Sequence, residues 1–257
     1  MIREAVKAAS AAQAAELGKK GLVYLAGGTY VNWAESELDA DRVVMLEGVI
    51  PKDITEKEGR VEIGALCTLT EITESSLIPE ALRLGAGFIP LRNIRNMATI
   101  GGNIAANRAD SYIIPVLLAL KAEVETFEDG RMSVYDYVKG EKSSLILKVI
   151  IPPFKGKIVV DRSVRSSAAY PSATVAVSVS SGECIIALGC ISDHVMRLED
   201  IEKEVASGKL KTEDEVFSAV HAEINPQDSL KETGPFRRYI ASTLAAHSVR
   251  LCLGEGV

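Results

Sequence analysis

Two short glycine-bearing strings have the composition of a phosphate-binding loop. The first, Leu25-Ala26-Gly27-Gly28-Thr29-Tyr30, ends an apolar run that reads as a strand. The second, Thr99-Ile100-Gly101-Gly102-Asn103, lies in a stretch with little periodicity. Glycine has no Cβ, so backbone N–H groups can fan around an anion such as pyrophosphate, and threonine hydroxyls add donors. Neither string is followed by the lysine of a Walker loop, and neither has the spacing of a dinucleotide-binding Rossmann turn. A lone Gly-Gly pair is more often a plain turn. Two pairs, each with a threonine beside it, favour a ligand without naming it.

Other chemistry is sparse. Cys67, Cys184, Cys190 and Cys252 form no CxxC pair and sit in apolar settings, which reads as buried reduced thiols rather than an iron–sulfur site. His194, His221 and His247 lack metal-ligand spacing, so no metal site is expected on this chain. No side chain is assigned as a catalytic acid or base. Arg92 and Arg95 read either as phosphate or partner-carboxylate contacts or as surface arginines. His247 reads as a core histidine, Trp33 as a packing residue rather than a surface for stacking a ligand ring, and Arg237 and Arg238 as helix-terminal or interdomain salt-bridge residues rather than chemical groups.

The elements that must position these residues form an ordinary soluble pattern. The chain has 257 residues, 47% hydrophobic and 25% charged, enough for one or two domains with a core that needs no disulfide or structural metal. Twenty-nine basic against thirty-five acidic residues, with no basic arm or stripe, weigh against a nucleic-acid partner. Charges in MIREAVKAAS stand where a signal peptide needs apolar residues, and the nearly charge-free stretch Ser166 to Ser192 alternates like strands. The expectation is therefore a cytoplasmic protein with no membrane span.

Along the chain, Arg3 to Lys20 predicts a helix stopped at Gly21. Strands are predicted at Leu22 to Ala26, Arg42 to Leu46 and Arg60 to Ala65, and short helices at Thr70 to Glu74 and Pro79 to Leu84. Gly85 to Asn107 reads as a long irregular segment. A buried helix at Ser111 to Leu120 and strands at Lys121 to Phe127 and Leu145 to Ile151 follow, with a domain boundary at Pro152-Pro153. Then come antiparallel strands at Lys157 to Arg165, Ala173 to Ser181 and Glu183 to Ser192, with Ser181-Gly182 as a hairpin turn. Helices are predicted at Leu198 to Ala206, Glu213 to Glu223 and Pro235 to Leu253. The last is expected to pack through Phe236, Ile240, Leu244, His247 and Leu251. Strands followed by helices suggest an α+β second domain.

Taken together, AGGTY at 26–30, VEIGALCTLTEI at 61–72, IRNMATIGGNIAANRADSYIIPVLLAL at 94–120, LILKVIIP at 145–152, RLEDIEKEV at 197–205 and FRRYIASTLAAHSVRLCL at 236–253 resemble a known family across nearly the whole chain. The family is the FAD-binding (medium) subunit of molybdenum hydroxylases, with xanthine dehydrogenase and carbon monoxide dehydrogenase among its members. The likeness is nearest to short bacterial flavoprotein chains of purine or selenium-dependent hydroxylases.

The resemblance implies an α+β fold: a two-lobed vanillyl-alcohol-oxidase-like (PCMH-type) FAD-binding domain over residues 1–152, with a small lobe at 1–50 and a larger one at 51–152. A smaller α+β domain would follow over 153–257. FAD would lie between the lobes. Leu25, Ala26, Gly27, Gly28, Thr29 and Tyr30 would hold its pyrophosphate through backbone amides, and Thr99, Ile100, Gly101, Gly102 and Asn103 would approach the diphosphate and flavin side. Asp110 matches the aspartate that follows the second string in relatives, and Leu147 and Arg162 align with positions flanking adenine and flavin. Tyr170 would either pack near the flavin or edge a strand. Two departures stand out: Tyr30 replaces an acidic residue common in relatives, and the usual N-terminal strand is missing. Iron–sulfur clusters and the molybdenum cofactor would reside on partner chains, with NAD or another molecule as the electron acceptor. Two other readings stay open: a stand-alone flavin oxidase, and a non-catalytic nucleotide-binding or assembly module that has lost FAD.

Overall fold

The computed structural model describes residues 2–33, 36, 38–140, 144–167, 169–229 and 232–254. Its elements run β1 (Glu4–Lys7), α1 (Ala11–Lys19), β2 (Val23–Leu25), β3 (Arg42–Met45), β4 (Ile54–Lys57), β5 (Arg60–Gly64), α2 (Leu69–Glu74), α3 (Glu80–Gly87), α4 (Arg92–Met97), α5 (Ile100–Ala106) and α6 (Ile114–Ala119). They continue β6 (Glu123–Thr126), β7 (Gly130–Ser133), α7 (Val134–Lys139), β8 (Ile146–Ile151), β9 (Lys157–Val164), β10 (Pro171–Ser180), β11 (Glu183–Gly189), β12 (Met196–Arg197), α8 (Glu199–Ala206), α9 (Glu213–Glu223) and α10 (Gly234–Leu253). The chain divides into two compact units. One comprises Met1–Pro79, Leu91–Ala106 and Ala122–Pro152; the other comprises Glu80–Pro90, Asn107–Lys121 and Pro153–Val257.

The first unit holds a parallel three-stranded sheet in the order β1-β3-β2. Here two expectations are corrected. Arg3 to Lys20 is not one helix, and an N-terminal strand is present: β1 pairs with β3 from Glu4 opposite Arg42 to Lys7 opposite Met45. Ala, Glu and Lys favour helix locally, but the ladder to β3 and the Glu4–Arg42 ion pair at 2.8 Å outweigh that preference. Helix α1 begins only where the Ser10 side chain accepts from the Gln13 N–H.

The same unit contains an antiparallel sheet ordered β4-β5-β8-β6-β7. Its central strand, β8, is the β-branched run expected from the sequence, and α5 packs against it. The stretch from Gly85 to Asn107, expected to be irregular, is a third correction, because it contains the helices α4 and α5. Both are too short to show an apolar period, and α4 buries none of its residues.

The second unit is built on an antiparallel sheet ordered β12-β11-β10-β9. Ser181 and Gly182 turn the β10–β11 hairpin with φ of 50° and 80°, the positive values a tight hairpin turn demands. Strand β10 is buried on both faces. Ala173, Val175 and Val177 join a core with Val216, Val220, Ala241, Ala245 and Val249, while the Thr174 and Ser178 hydroxyls donate to the carbonyls of Ser111 and Ala119 beside α6. Serine and threonine survive in that core because their hydroxyls find carbonyl partners.

The face of α10 matches the expected one only in part, since Ile240 and Leu244 pack against the core as expected but Phe236 and His247 do not. It buries Ala241, Ser242, Ala245, Ala246, Ser248, Val249 and Cys252. Phe236 is 45% exposed, and His247 is half-exposed beside Glu213 rather than in the core. Small side chains let a long helix lie close against β9, β10 and α9, so the larger apolar residues are left at the margin. Among the described residues, no helix is long and apolar enough to cross a membrane.

Candidate functional site

The first glycine string emerges from the C-terminal end of β2, which pairs with β3 up to Leu25 opposite Met45. Gly28 takes φ of +72°, a left-handed conformation that glycine alone adopts without strain. The turn is then tied from within. Asn32 donates to the Gly28 carbonyl through its backbone N–H at 3.0 Å and its side-chain amide at 2.9 Å, and Trp33 N–H reaches the Tyr30 carbonyl at 3.1 Å. The N–H groups of Gly27, Gly28, Thr29 and Tyr30 donate to no other described residue, nor does the Thr29 hydroxyl. All four residues are partly open to solvent. The loop therefore presents consecutive donors with carbonyls engaged behind them, an arrangement that accepts an anion.

Gly27 has a different task. A Cβ there would stand 1.5 Å from the Met97 carbonyl oxygen, so the first string lies directly against the end of α4.

The second string is arranged otherwise. Ile100 N–H donates to the Cys67 carbonyl and Gly101 N–H to the Ala65 carbonyl, each at 3.0 Å, while Gly102 N–H is taken by the Thr99 hydroxyl at 3.1 Å. Thr68 and Thr99 bridge as an antiparallel pair, and Leu69 N–H reaches the Ala98 carbonyl. The amides at 100–102 thus donate within the chain itself, unlike those of the first string. Gly101 is required by packing, since a Cβ would sit 2.7 Å from the Ala65 Cβ. Asn103 is half-buried, and its own N–H donates to the Thr99 carbonyl at 2.9 Å.

The 65–68 loop that receives α5 is braced by hydrogen bonds. Glu71 accepts from the Thr68 N–H at 2.7 Å and from its hydroxyl at 2.8 Å, completing a capping box on α2. Burial acts to raise the Glu71 carboxyl, but the Thr68 bonds and Lys52 hold it below the usual value. Burial, with the nearby Glu71 charge, pushes the Cys67 thiol up to about 11, so it is no nucleophile at neutral pH. Sequence reasoning did not assign Asn32, Ala65 or Cys67 a part in this arrangement. Their contribution is a carboxamide or a backbone carbonyl placed by tertiary folding, for which residue type gives almost no signal.

Leu147, also in the first unit, sits on β8 with its carbonyl accepting from Ala65 N–H at 3.0 Å. Asp110 and Arg162 belong to the second unit. Asp110 receives both Arg108 Nε and a terminal nitrogen, at 2.7 and 2.6 Å. Arg162 lies over the rings of Phe88 and Tyr112, 4.4 and 5.4 Å from their centroids, and donates to the Phe88 carbonyl. Burial raises the Tyr112 hydroxyl, opposed by the Arg162 guanidinium.

The remaining candidates are structural or exposed. Arg92 pairs with Glu74 on the surface, and Tyr170 is 53% exposed. Arg237 and Arg238 donate to backbone carbonyls, of Gln227 and Cys190 and of His221 and Ala222 respectively. All four cysteines are buried free thiols, as expected.

Residues 2–154 match the family of the FAD binding domain in molybdopterin dehydrogenase. A protein of Escherichia coli strain K12, "Uncharacterized protein YgfM", is 30% identical over 260 residues, covering 100% of this chain and 98% of the relative. The glyceraldehyde dehydrogenase medium chain of Sulfolobus acidocaldarius is 29% identical over 204 residues, covering 72% of this chain and 73% of its own. In three dimensions the chain superposes on a chain of carbon monoxide dehydrogenase from Hydrogenophaga pseudoflava with a TM-score of 0.84 at 20% identity, covering 100% of one and 99% of the other. The matched segment is more than half of the sequence, and the chain belongs to the family of FAD binding domains of molybdopterin dehydrogenases, as an oxidoreductase component.

Proposed function

We propose that this chain is the FAD-carrying electron-transfer subunit of a xanthine dehydrogenase-like molybdenum hydroxylase, receiving electrons from iron–sulfur clusters on one partner chain while another partner carries the molybdenum cofactor. The observation that carries this reading is the run of unengaged N–H donors from Gly27 to Tyr30 in a chain of a FAD-binding family. Those donors, the Thr29 hydroxyl and the left-handed turn at Gly28 suit a diphosphate: charge-assisted bonds form with no donor to be pulled from an existing partner. The proposed contact set is Leu25 to Tyr30, Thr99 to Asn103, Leu147, Asp110 and Arg162, with residues 1–152 as the FAD-binding domain and 153–257 as the C-terminal domain.

Within that set the residues have different tasks. Gly27 to Tyr30 bind the diphosphate, Asn32 holds the loop in its binding shape, and Asn103 offers a carboxamide. Asp110 and Arg162 are held in place in advance by Arg108 and by the Phe88 carbonyl with its flanking rings. Bound FAD supplies the two-electron chemistry and the protein supplies position, so no acid or base side chain is required. NAD is the proposed electron acceptor, and the cytoplasm is the proposed location, where four buried thiols stay reduced. The lost-FAD alternative drew its support from a missing N-terminal strand, and β1 removes that support.

The test is an absorbance titration of the purified chain with FAD, followed by anaerobic NADH. Uptake of one flavin, abolished in Gly28→Val, and bleaching by NADH are the expected results. No uptake at high FAD concentration would overturn the cofactor assignment. Uptake without bleaching, in the chain reconstituted with its partners, would overturn NAD as acceptor.

A further inference from the structure

We propose that Tyr30 and Trp33 form an aromatic platform on which a planar ring of the bound dinucleotide stacks; this rests on the reading of Gly27 to Tyr30 as the diphosphate loop. The two rings lie near-parallel, with centroids 6.1 Å apart and an interplanar angle of 29°, the geometry of an offset stack. Both residues are partly open to solvent rather than in the core, although a buried indole would gain far more from the hydrophobic effect. Both are fixed to the loop by the same turn: Tyr30 is its last unengaged donor, and its carbonyl holds the Trp33 N–H while Asn32 clamps Gly28. A dinucleotide diphosphate carries each ring on a single ribose or ribityl arm. Because the pair starts at the loop's last unengaged donor, it is the aromatic surface next in sequence to these amides, and a flat surface of this kind is indifferent to a ring's hydrogen-bonding pattern.

The ring is either adenine or isoalloxazine, and separate probes distinguish them. Dissociation constants of the full chain for FAD, ADP and FMN are measured by equilibrium dialysis in wild type, Tyr30→Ala, Trp33→Ala, Trp33→Leu and Trp33→Phe. Loss of a stacking partner weakens FAD binding by roughly 5- to 150-fold, and Trp33→Phe restores most of it. Weakened ADP with unchanged FMN identifies adenine; the reverse identifies isoalloxazine. Trp33 is the only tryptophan of the chain. Its emission in the wild-type protein provides a readout that needs no variant to fold: ADP quenches it if adenine stacks, while an isoalloxazine stack leaves ADP silent and lets FMN alone protect the indole from acrylamide. Wild-type FAD affinity in both Trp33→Leu and Tyr30→Ala, or an indole that neither ADP nor FMN affects, overturns the platform while the diphosphate loop stands. Wild-type protein that binds no FAD at all overturns both.

Discussion

Gly27→Ala and Gly28→Ala are adjacent one-methyl substitutions, and the structure separates them sharply. At Gly27 the new Cβ would lie 1.5 Å from the Met97 carbonyl oxygen and 2.5 Å from its carbon. To reach an ordinary contact the two backbones must part by roughly 2 Å, and a peptide oxygen, unlike a side chain, has no rotamer in which to escape. Overpacking against movable side chains costs about 1–3 kcal/mol, so a backbone clash sets an expectation of about 3 kcal/mol or more. At Gly28 the Cβ would meet only the Asn32 amide at 3.0 Å and Leu25 at 3.5 Å. The main penalty there is the left-handed φ, about 1–2 kcal/mol. Urea unfolding followed by far-ultraviolet circular dichroism gives both values. FAD uptake should be lost in Gly27→Ala, whose loop is displaced, and only weakened in Gly28→Ala, whose amides keep their place. A Gly27→Ala protein less than about 1 kcal/mol destabilised, or less affected than Gly28→Ala, would refute the close approach of these backbones.

Three further outcomes follow from the second unit and the thiols. Glu202 is buried, accepts from Ile186 N–H at 2.9 Å and pairs with Arg197 through two nitrogens. Glu202→Ala should cost about 3 kcal/mol in thermal or urea unfolding, because the buried Ile186 N–H loses its acceptor and the Arg197 guanidinium loses a two-nitrogen carboxylate contact; a loss below about 1 kcal/mol would contradict that. Ser248 is fully buried with no partner for its hydroxyl among the described residues, so Ser248→Ala should leave stability unchanged or raise it by up to about 1 kcal/mol. Burial pushes the Cys184 and Cys190 thiols up to about 12 and Cys67 and Cys252 to about 11. The folded state thus favours the neutral thiol, its advantage is complete below the unfolded value near 9, and it is lost as pH rises through 9 to 12; stability should fall from about pH 9 upward, and a disulfide reagent at pH 8 should label no cysteine until the chain unfolds.

What could be read from the sequence was whatever local chemistry decides. Ser181-Gly182 marks its hairpin because only certain residues accept positive φ at both turn positions. The extents of α9 and α10 follow from the Thr212 and Thr233 caps and from Gly254, which ends α10 at φ of 88°. What escaped was decided by distant partners. Strand β1 has helix-favouring residues and becomes a strand only beside β3. The face of α10 was only partly legible: Ile240 and Leu244 do pack on the core, but hydrophobic periodicity also weights Phe236 and Leu251, whereas close packing selected Ala241, Ala245 and Val249. At the site, the first glycine string was legible as a tight turn at the end of β2. The second was legible as a string only, since the acceptors that claim its amides come from Ala65 and Cys67.

That difference assigns the two glycine pairs separate work. Composition makes them near twins, and an anion-binding reading based on missing Cβ atoms applies equally to both. Hydrogen bonding distinguishes them: one pair keeps its N–H groups unengaged, and the other uses them to fasten α5 to the 65–68 loop. The strings also touch. Gly27 lies against the Met97 carbonyl, just ahead of Thr99, and a Cβ on Gly102 would come within 4.0 Å of the Ala26 side chain. The second string is thus the wall that the first is pressed against, and its glycines are needed for closeness rather than for donation. A loop with free amides would collapse onto its own carbonyls or onto water in many shapes. Pressed between the Met97 carbonyl and the Asn32 clamp on the Gly28 carbonyl, it keeps one. The longer and more distinctive motif, from Ile94 to Asn103, is then the support against which the shorter one is held in a single shape, with the entropy of ordering that loop met in folding.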